Sequence, residues 1–313
     1  MNILVTGGAG FIGSHLVDRL IDEGHDVLCV DNFITGSKEN IHQHDGNPRF
    51  TLIEKDVSEP WPDDLLKGIE RIYHLASPAS PKSYIEYPIE TLMVNSLGTA
   101  HLLDACRRLS IRFLLASTSE IYGDPLEHPQ KETYWGHVNP NGIRSCYDES
   151  KRFAESITMV YVRMHKIDAR IVRIFNTYGP RLQKDDGRVI SNFLTQVVSN
   201  QDLTVYGDGS QTRSFCYVTD LVRGLITVME SEKARGSVYN LGNPAEFTIR
   251  ELAELVCGLV GRKVGMVTKA LPPDDPKQRQ PDITKIKEEL GWKPTVELEE
   301  GLQKTFEFFK EKK

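Results

Sequence analysis

The chain opens with short runs of β-branched and aliphatic residues, separated by longer stretches in which apolar positions return every three or four residues. The runs are Ile3–Thr6, Val27–Asp31, Thr51–Asp56, Arg71–Ala76, Arg112–Ser117 and Ala169–Phe175. Between the first two, Leu16, Val17, Leu20 and Ile21 share one face of a helix that Gly24 closes as a C-cap. Longer helical patterns occupy residues 88–109 and 145–165. Strands that alternate with helices bury both faces, so the pattern predicts a parallel sheet covered by helices on either side.

Past Gly179 the rhythm changes. Residues 180–188 are rich in charge and turn formers, and shorter elements follow at Leu203–Tyr206, Val218–Met229, Val238–Leu241 and Thr248–Val260. Residues 271–280 hold three prolines and few apolar side chains, which reads as a functional loop, and a helical C-terminus follows from Thr284. The expected layout is a first domain over residues 1–179 and a smaller α/β lobe over 180–313, with room for segments of the second to return to the first. A ligand would sit in the crevice between them.

Charge narrows the partners. The 38 Lys+Arg against 44 Asp+Glu give a net −6, which lacks the basic footprint of a nucleic-acid binder and leaves room for a phosphorylated small ligand. Cys29, Cys106, Cys146, Cys216 and Cys257 are widely spaced without a C-x-x-C pair. Neither a disulfide framework nor a metal site is expected, and a reducing cytoplasm is the simpler setting. The opening MNILVTGGAGFIG has no basic segment, so no secretory leader is expected. No stretch approaches the roughly 18 uninterrupted apolar residues of a membrane span.

Gly7-Gly8-Ala9-Gly10-Phe11-Ile12-Gly13 lies between the first strand and the first helix, and Asp31 ends the second strand eighteen residues later. Small residues allow a tight turn and let a pyrophosphate approach the helix N-terminus, where free N–H groups favour anions. The acid accepts hydrogen bonds from ribose hydroxyls and repels a 2′-phosphate, so NAD is expected over NADP. Asp56 suits the adenine edge. The expected cofactor contacts are Gly7, Gly10, Phe11, Ile12, Gly13, Asp31, Asn32, Asp56, Val57, Leu75 and Ser77, with Tyr147 and Lys151.

Tyr147 and Lys151 stand four apart in YDESK, on one helix face. A phenol with a pKa of about 10 is a poor base at neutral pH; a neighbouring ammonium and the cationic nicotinamide favour its ionised form. Ser117-Thr118-Ser119-Glu120 closes a strand where parallel sheets present ligands, and a hydroxyl of Thr118 or Ser119 could hold the substrate oxygen that Tyr147 deprotonates.

The order TGGAGFIGSH, HLAS, STSEIYG, YDESK resembles the extended short-chain dehydrogenase/reductases that modify nucleotide sugars. HLASPAS, YWGHVNP, RSCYDESKR, RIFNTYGPR, DDGRVISNF and LTVYGDGSQTRSFCYV resemble the UDP-glucuronate decarboxylases among them, over essentially the whole chain. Ser150, where glycine is usual, and Asn141, where an aliphatic residue is common, depart from the pattern without removing a functional group. The resemblance implies a Rossmann-type doubly wound α/β sheet with a smaller C-terminal α/β substrate-binding lobe. It also implies C4 oxidation of UDP-glucuronate by bound NAD, loss of CO2 and re-reduction to UDP-xylose. Ser119-Glu120 distinguishes the decarboxylases from dehydratases, which carry an Asp-Glu pair, with the glutamate taking part in decarboxylation. Arg213 and Arg279 match diphosphate-side arginines, Asn176 a sugar or phosphate contact, and Arg188 and Tyr206 the uridine pocket. The helices over residues 88–109 and from Ser145 match a four-helix dimer interface, so a homodimer is expected. A 4-epimerase or 4,6-dehydratase is the alternative within the fold, and a non-catalytic NAD sensor the alternative outside it.

Overall fold

The computed structural model describes residues 1–261, 264–270 and 278–311. Strands β1 (Asn2–Thr6), β2 (Asp26–Asp31), β3 (Phe50–Glu54), β4 (Arg71–His74), β5 (Arg112–Thr118) and β6 (Ala169–Ile174) form a parallel sheet. Alternation explains its burial on both sides. Leu4, Ile72, Phe113 and Leu115 pack in one apolar cluster, whereas Ile3, Val5, Tyr73 and Leu114 pack in another. The first cluster is covered by α2 (Asp63–Leu66), α5 (Thr99–Leu109) and α6 (Ser145–His165), the second by α1 (Phe11–Asp22).

The rest of the chain surrounds the mouth of the sheet. Helices α3 (Pro81–Glu86) and α4 (Pro88–Met93) follow β4. Beyond β6 come β7 (Thr177–Tyr178), α7 (Val189–Val198), β8 (Leu203–Tyr206), β9 (Thr212–Ser214), β10 (Cys216–Tyr217) and α8 (Val218–Glu230). Then follow β11 (Val238–Leu241), β12 (Glu246–Thr248), α9 (Ile249–Leu259), β13 (Met266–Lys269), β14 (Gln278–Arg279), α10 (Thr284–Leu290) and α11 (Leu298–Glu311). Small sheets β10-β7, β12-β9-β14 and β13-β8 build the second half. Helix α9 starts on a capping box in which Thr248 and Glu251 satisfy each other's backbone N–H groups.

The second half is not a separate block. β11 pairs parallel with β6, giving the order β11-β6-β5-β4-β1-β2-β3, and α8 packs beside α1. This is a Rossmann-like α/β sheet, and strand order reverses between β1 and β4, where such sheets hold ligands at the carboxyl ends. Several expected boundaries move. β3 ends at Glu54 and β4 at His74, because the chain turns there toward the cleft, leaving Asp56 and Leu75 on loops. The helix expected over 88–109 is interrupted by a π-helical turn at Val94–Gly98. Of the proline-rich segment, residues 271–277 lie outside the described residues, while Gln278 and Arg279 form a strand. Among the described residues no helix is long and apolar enough to cross a membrane.

Candidate active site

The carboxyl ends of the central strands open onto one long cleft whose walls carry Gly7, Gly10, Phe11, Ile12, Gly13, Asp31, Asn32, Asp56, Val57, Leu75 and Ser77. Gly7 has φ +72°, and a Cβ there would lie 2.7 Å from the Ala76 nitrogen. A Cβ on Gly13 would overlap the Gly7 carbonyl oxygen. The loop therefore closes only with glycine. Gly10 begins α1 in an extended conformation, without side-chain capping and without an acid in the first turn. The first N–H groups of α1 thus face the cleft with no intrahelical acceptor.

Asp31 accepts from the Ala9 N–H at 3.0 Å and the Phe33 N–H at 2.9 Å, so it braces the glycine loop. Burial raises its pKa above the ordinary carboxylate value against the pull of these backbone donors. Each oxygen retains a lone pair for a ligand hydroxyl. Asp56 accepts from Asn32 Nδ2 at 3.0 Å and from the Ser58 N–H at 2.8 Å. These features fit the ribose and pyrophosphate of a dinucleotide.

The next stretch of cleft holds the reactive candidates. Thr118 ends β5, and its hydroxyl accepts the Glu120 N–H at 3.2 Å as a cap on the 3-10 turn Ser119–Tyr122. Helix α6 presents Tyr147 and Lys151 from consecutive turns, both buried. Lys151 Nζ donates to the Ala116 carbonyl at 2.8 Å and lies 5.9 Å from the Tyr147 ring centroid. Burial pulls the Lys151 ammonium down to about 7, with Glu155 opposing. Tyr147 is pushed up to about 12 by burial, although a hydrogen bond with Thr118 pulls it down. The protein's own groups leave this phenol uncharged at neutral pH, so its ionisation requires a further positive charge beside it.

Glu120 is clamped by two arginines. Arg144 Nη2 forms an ion pair with its Oε2, and Arg279 Nη2 lies 3.5 Å from the same oxygen. Arg279, fully buried in β14, also donates to the Ser119 carbonyl and to the Gly123 carbonyl. Burial would raise Glu120, but Arg279 and Arg144 overcome it and hold the carboxyl below its ordinary range. Its neighbour Asp148 shifts the other way, raised by burial and then by the charge of Glu120. Of the two carboxyls, Asp148 therefore keeps its proton to the higher pH.

Farther along, Asn176, Arg188, Tyr206 and Arg213 complete the cleft. Arg213 and Arg279 are register partners on β9 and β14 and both line the cleft, a placement of two arginines that suits a multiply charged anion. Arg188 donates to the Ala79 carbonyl at 3.1 Å, tying the far lobe to the cofactor side. Tyr206 ends β8, with its carbonyl accepting from Gln211 at 2.7 Å.

Comparison with known proteins agrees with this architecture. The sequence model of the GDP-mannose 4,6 dehydratase family matches residues 4–305. UDP-glucuronic acid decarboxylase 1 of Arabidopsis thaliana is 54% identical over 310 residues, covering 99% of this chain and 70% of that protein. UDP-glucuronic acid decarboxylase 3 of the same plant is 55% identical over 303 residues, covering 96% and 87%. The chain belongs to the UDP-glucuronic acid decarboxylase family, within the extended short-chain dehydrogenase/reductases. A solved UDP-glucuronic acid 4-epimerase from Bacillus cereus, in complex with UDP-glucuronic acid and NAD, superposes with a TM-score of 0.92 at 31% identity, covering 100% of both chains.

Several residues of this decarboxylase-family cleft escape sequence reasoning. Tyr84 and Arg144 line it beside Tyr147, and Arg144 stands three residues before Tyr147, a spacing that signals the same helix face. Asn95, in the π-turn, donates to Ser77 Oγ and to Ser150 Oγ, each at 3.0 Å. Ser150 in turn donates to the Tyr147 carbonyl at 3.1 Å, so the departure from glycine adds a tie behind Tyr147. Residues 180–188 form a strap across the cofactor side. His15 meets the Pro180 carbonyl at 2.9 Å, Arg181 pairs with Asp18 at 2.7 Å, Gln183 donates to the Thr35 carbonyl at 2.7 Å, and Lys82 pairs with Asp185.

Proposed function

We propose that this protein converts UDP-glucuronate to UDP-xylose and CO2 with bound NAD. The reading is carried by identity of about 54% to UDP-glucuronic acid decarboxylases over nearly the full chain, with Ser119-Glu120 set against Tyr147 and Lys151 in the cleft. Gly7, Gly10, Phe11, Ile12 and Gly13 would hold the pyrophosphate of NAD, Asp31 with Asn32 its adenosine ribose, and Asp56 with Val57 its adenine. Leu75 and Ser77 would flank the remainder. NAD supplies the hydride acceptor for C4 and, in reduced form, the hydride that returns. Tyr147 takes the proton of the C4 hydroxyl, held by Thr118 and assisted by the Lys151 ammonium. With C4 a ketone, the carboxylate on C5 is that of a β-keto acid, and CO2 leaves as its bonding electrons flow into the ketone. The resulting enolate takes a proton at C5, so each turnover consumes one proton from solvent. Glu120 with its arginine clamp keeps a fixed charge beside the departing carboxylate, and Ser119 lies next to it. Arg213 and Arg279 bind the diphosphate, Asn176 the sugar or phosphate, and Arg188 and Tyr206 the uridine.

The homodimer and a reducing cytoplasmic setting belong to the same proposal. Ile89, Met93 and Leu97 on α4 and its π-turn, with Phe153 on α6, expose an apolar face suited to a second copy, and all five cysteines are free. Mass spectrometry of the product from UDP-glucuronate, with no NADH added, tests the reaction. A product lighter by CO2, carrying solvent deuterium at C5 when the reaction runs in D2O, is expected. A product that retains its carboxylate with inverted C4 would instead make the protein an epimerase.

A further inference from the structure

The ring of Tyr84, on α3, lies parallel to the ring of Tyr147, with centroids 5.1 Å apart and planes 8° from parallel. Tyr84 is itself locked. Its N–H donates to the Ser80 carbonyl at 3.0 Å, and its carbonyl accepts from Cys146 Sγ, on the helix that carries Tyr147, at 3.4 Å. The Arg144 guanidinium sits 5.8 Å from its ring centre. Only 1% of the side chain is exposed, and its hydroxyl has no hydrogen-bond partner among the described residues. The ring, rather than the hydroxyl, is therefore what the surroundings use.

We propose that Tyr84 is a positioning residue whose ring face fixes the orientation of the Tyr147 phenol toward Thr118 and the substrate C4 hydroxyl. A phenol turns about two side-chain torsions, and Tyr84 fills the space into which Tyr147 would otherwise swing. Misplacement of a reacting atom by about 1 Å costs on the order of a hundred-fold in rate. The inference rests on Tyr147 acting as the base for C4 oxidation, and holds for any reaction that begins with that step.

The test pairs Tyr84→Met, which keeps most of the volume but has no ring face, with Tyr84→Phe, which keeps the face and drops the unpartnered hydroxyl. Both are assayed as NAD-loaded protein, well below their melting temperatures, with UDP binding as a check of the fold. Tyr84→Met should lower kcat about ten- to a hundred-fold, with KM within about two-fold. Its pH–rate profile should also shift its acid limb upward, because a phenol released from Thr118 loses the bond that lowers its pKa. The charged and titratable groups facing Tyr147 are Lys151 and Asp148 on α6, Arg144 just before it, Glu120 beyond β5 and Arg188 from the strap, all unchanged in either variant. Tyr84→Phe should restore wild-type kcat and pH profile. Equal damage in both variants would assign the effect to the hydroxyl and overturn the proposal, as would a Tyr84→Met protein that only melts earlier with an unchanged kcat. Failure of the wild-type protein to release CO2 sinks the decarboxylase reading separately. The rate of nicotinamide reduction in a single turnover still reports the effect of Tyr84.

Discussion

Replacing Glu120 with glutamine keeps its shape and removes its charge, so it isolates what the carboxylate does for Arg144 and Arg279. The two guanidiniums have side-chain exposures of 17% and 2% and share the oxygen Oε2 of a carboxylate that is itself 19% exposed. Breaking a buried ion pair by neutralising one partner costs about 3–5 kcal/mol. The amide oxygen still accepts one hydrogen bond, which places Glu120→Gln near the lower end, about 3 kcal/mol. With an unfolding entropy of about 2.1 cal/mol/K per residue, a chain of this length loses roughly 1.5 °C in Tm per kcal/mol, so a drop of roughly 4–5 °C is expected.

The pH dependence of that drop carries more information than its size. Because the arginines hold Glu120 below its ordinary value of 4.5, its stabilisation is fully present above that value and is lost as pH falls through the depressed one. Asp148 works in the opposite sense. Its raised pKa makes it a cost that grows as pH rises from its ordinary value through the raised one, and part of that cost is repulsion by Glu120. Removing Glu120 relieves it. The difference in Tm between the two proteins should therefore vanish in strong acid, peak at about pH 5–6 and narrow again toward alkaline pH. Differential scanning calorimetry from acid to mildly alkaline pH reads this directly. In single turnover the variant should also oxidise C4 faster than it loses CO2, so that reduced nicotinamide accumulates. A Tm difference below about 1 °C across the whole range would refute the claim that Glu120 is the counter-charge of this pair.

Tyr147→Phe should cut CO2 release by about a thousand-fold while leaving UDP affinity and Tm near wild type, as followed by product mass spectrometry and calorimetry. Lys151→Met should abolish turnover yet stabilise the cofactor-free protein. Burial holds the Lys151 ammonium near 7, so the wild-type chain bears a cost that is full below that pH and fades toward 10.5. The gain in Tm should accordingly be larger at pH 6 than at pH 9, and the reverse order would contradict the assigned charge. Titration calorimetry of cofactor-free protein should show NAD binding at least about ten-fold tighter than NADP because of Asp31. Equal affinities would remove Asp31 from the ribose site.

What the chain discloses locally, it discloses well. Gly7 and Gly13 are needed by one turn, Asp31 closes the adjacent strand, and Tyr147 and Lys151 share one helix, so the signals lie within a few residues of the structures they produce. α6 spans Ser145–His165, the range its periodicity predicts. The illegible parts depend on contacts distant in sequence. Val238–Leu241 is a four-residue apolar run like many others, and only its register against β6 makes it the edge of the main sheet. The break at Val94–Gly98 answers to Asn95 reaching Ser77 and Ser150, which no helical period records. The clamp on Glu120 joins residues 159 positions apart, and the stacking of Tyr84 on Tyr147 joins two loop-to-helix junctions that the sheet brings together.

The strap over residues 180–188 bears on how this protein meets its surroundings. The groove it crosses is built from chain that emerges earlier during synthesis, and Pro180, Arg181, Gln183 and Asp185 then tether the later segment onto His15, Asp18, Thr35 and Lys82. A dinucleotide seated in that groove would lie beneath these four bridges. Such a cover would slow its exchange with the surrounding pool and make it a built-in part of the catalyst. The reaction returns its hydride at the end of each cycle, so such a part never needs recharging. A cofactor that exchanges slowly would tie the catalyst less to the ratio of oxidised to reduced nicotinamide in the surrounding pool than to the supply of sugar nucleotide.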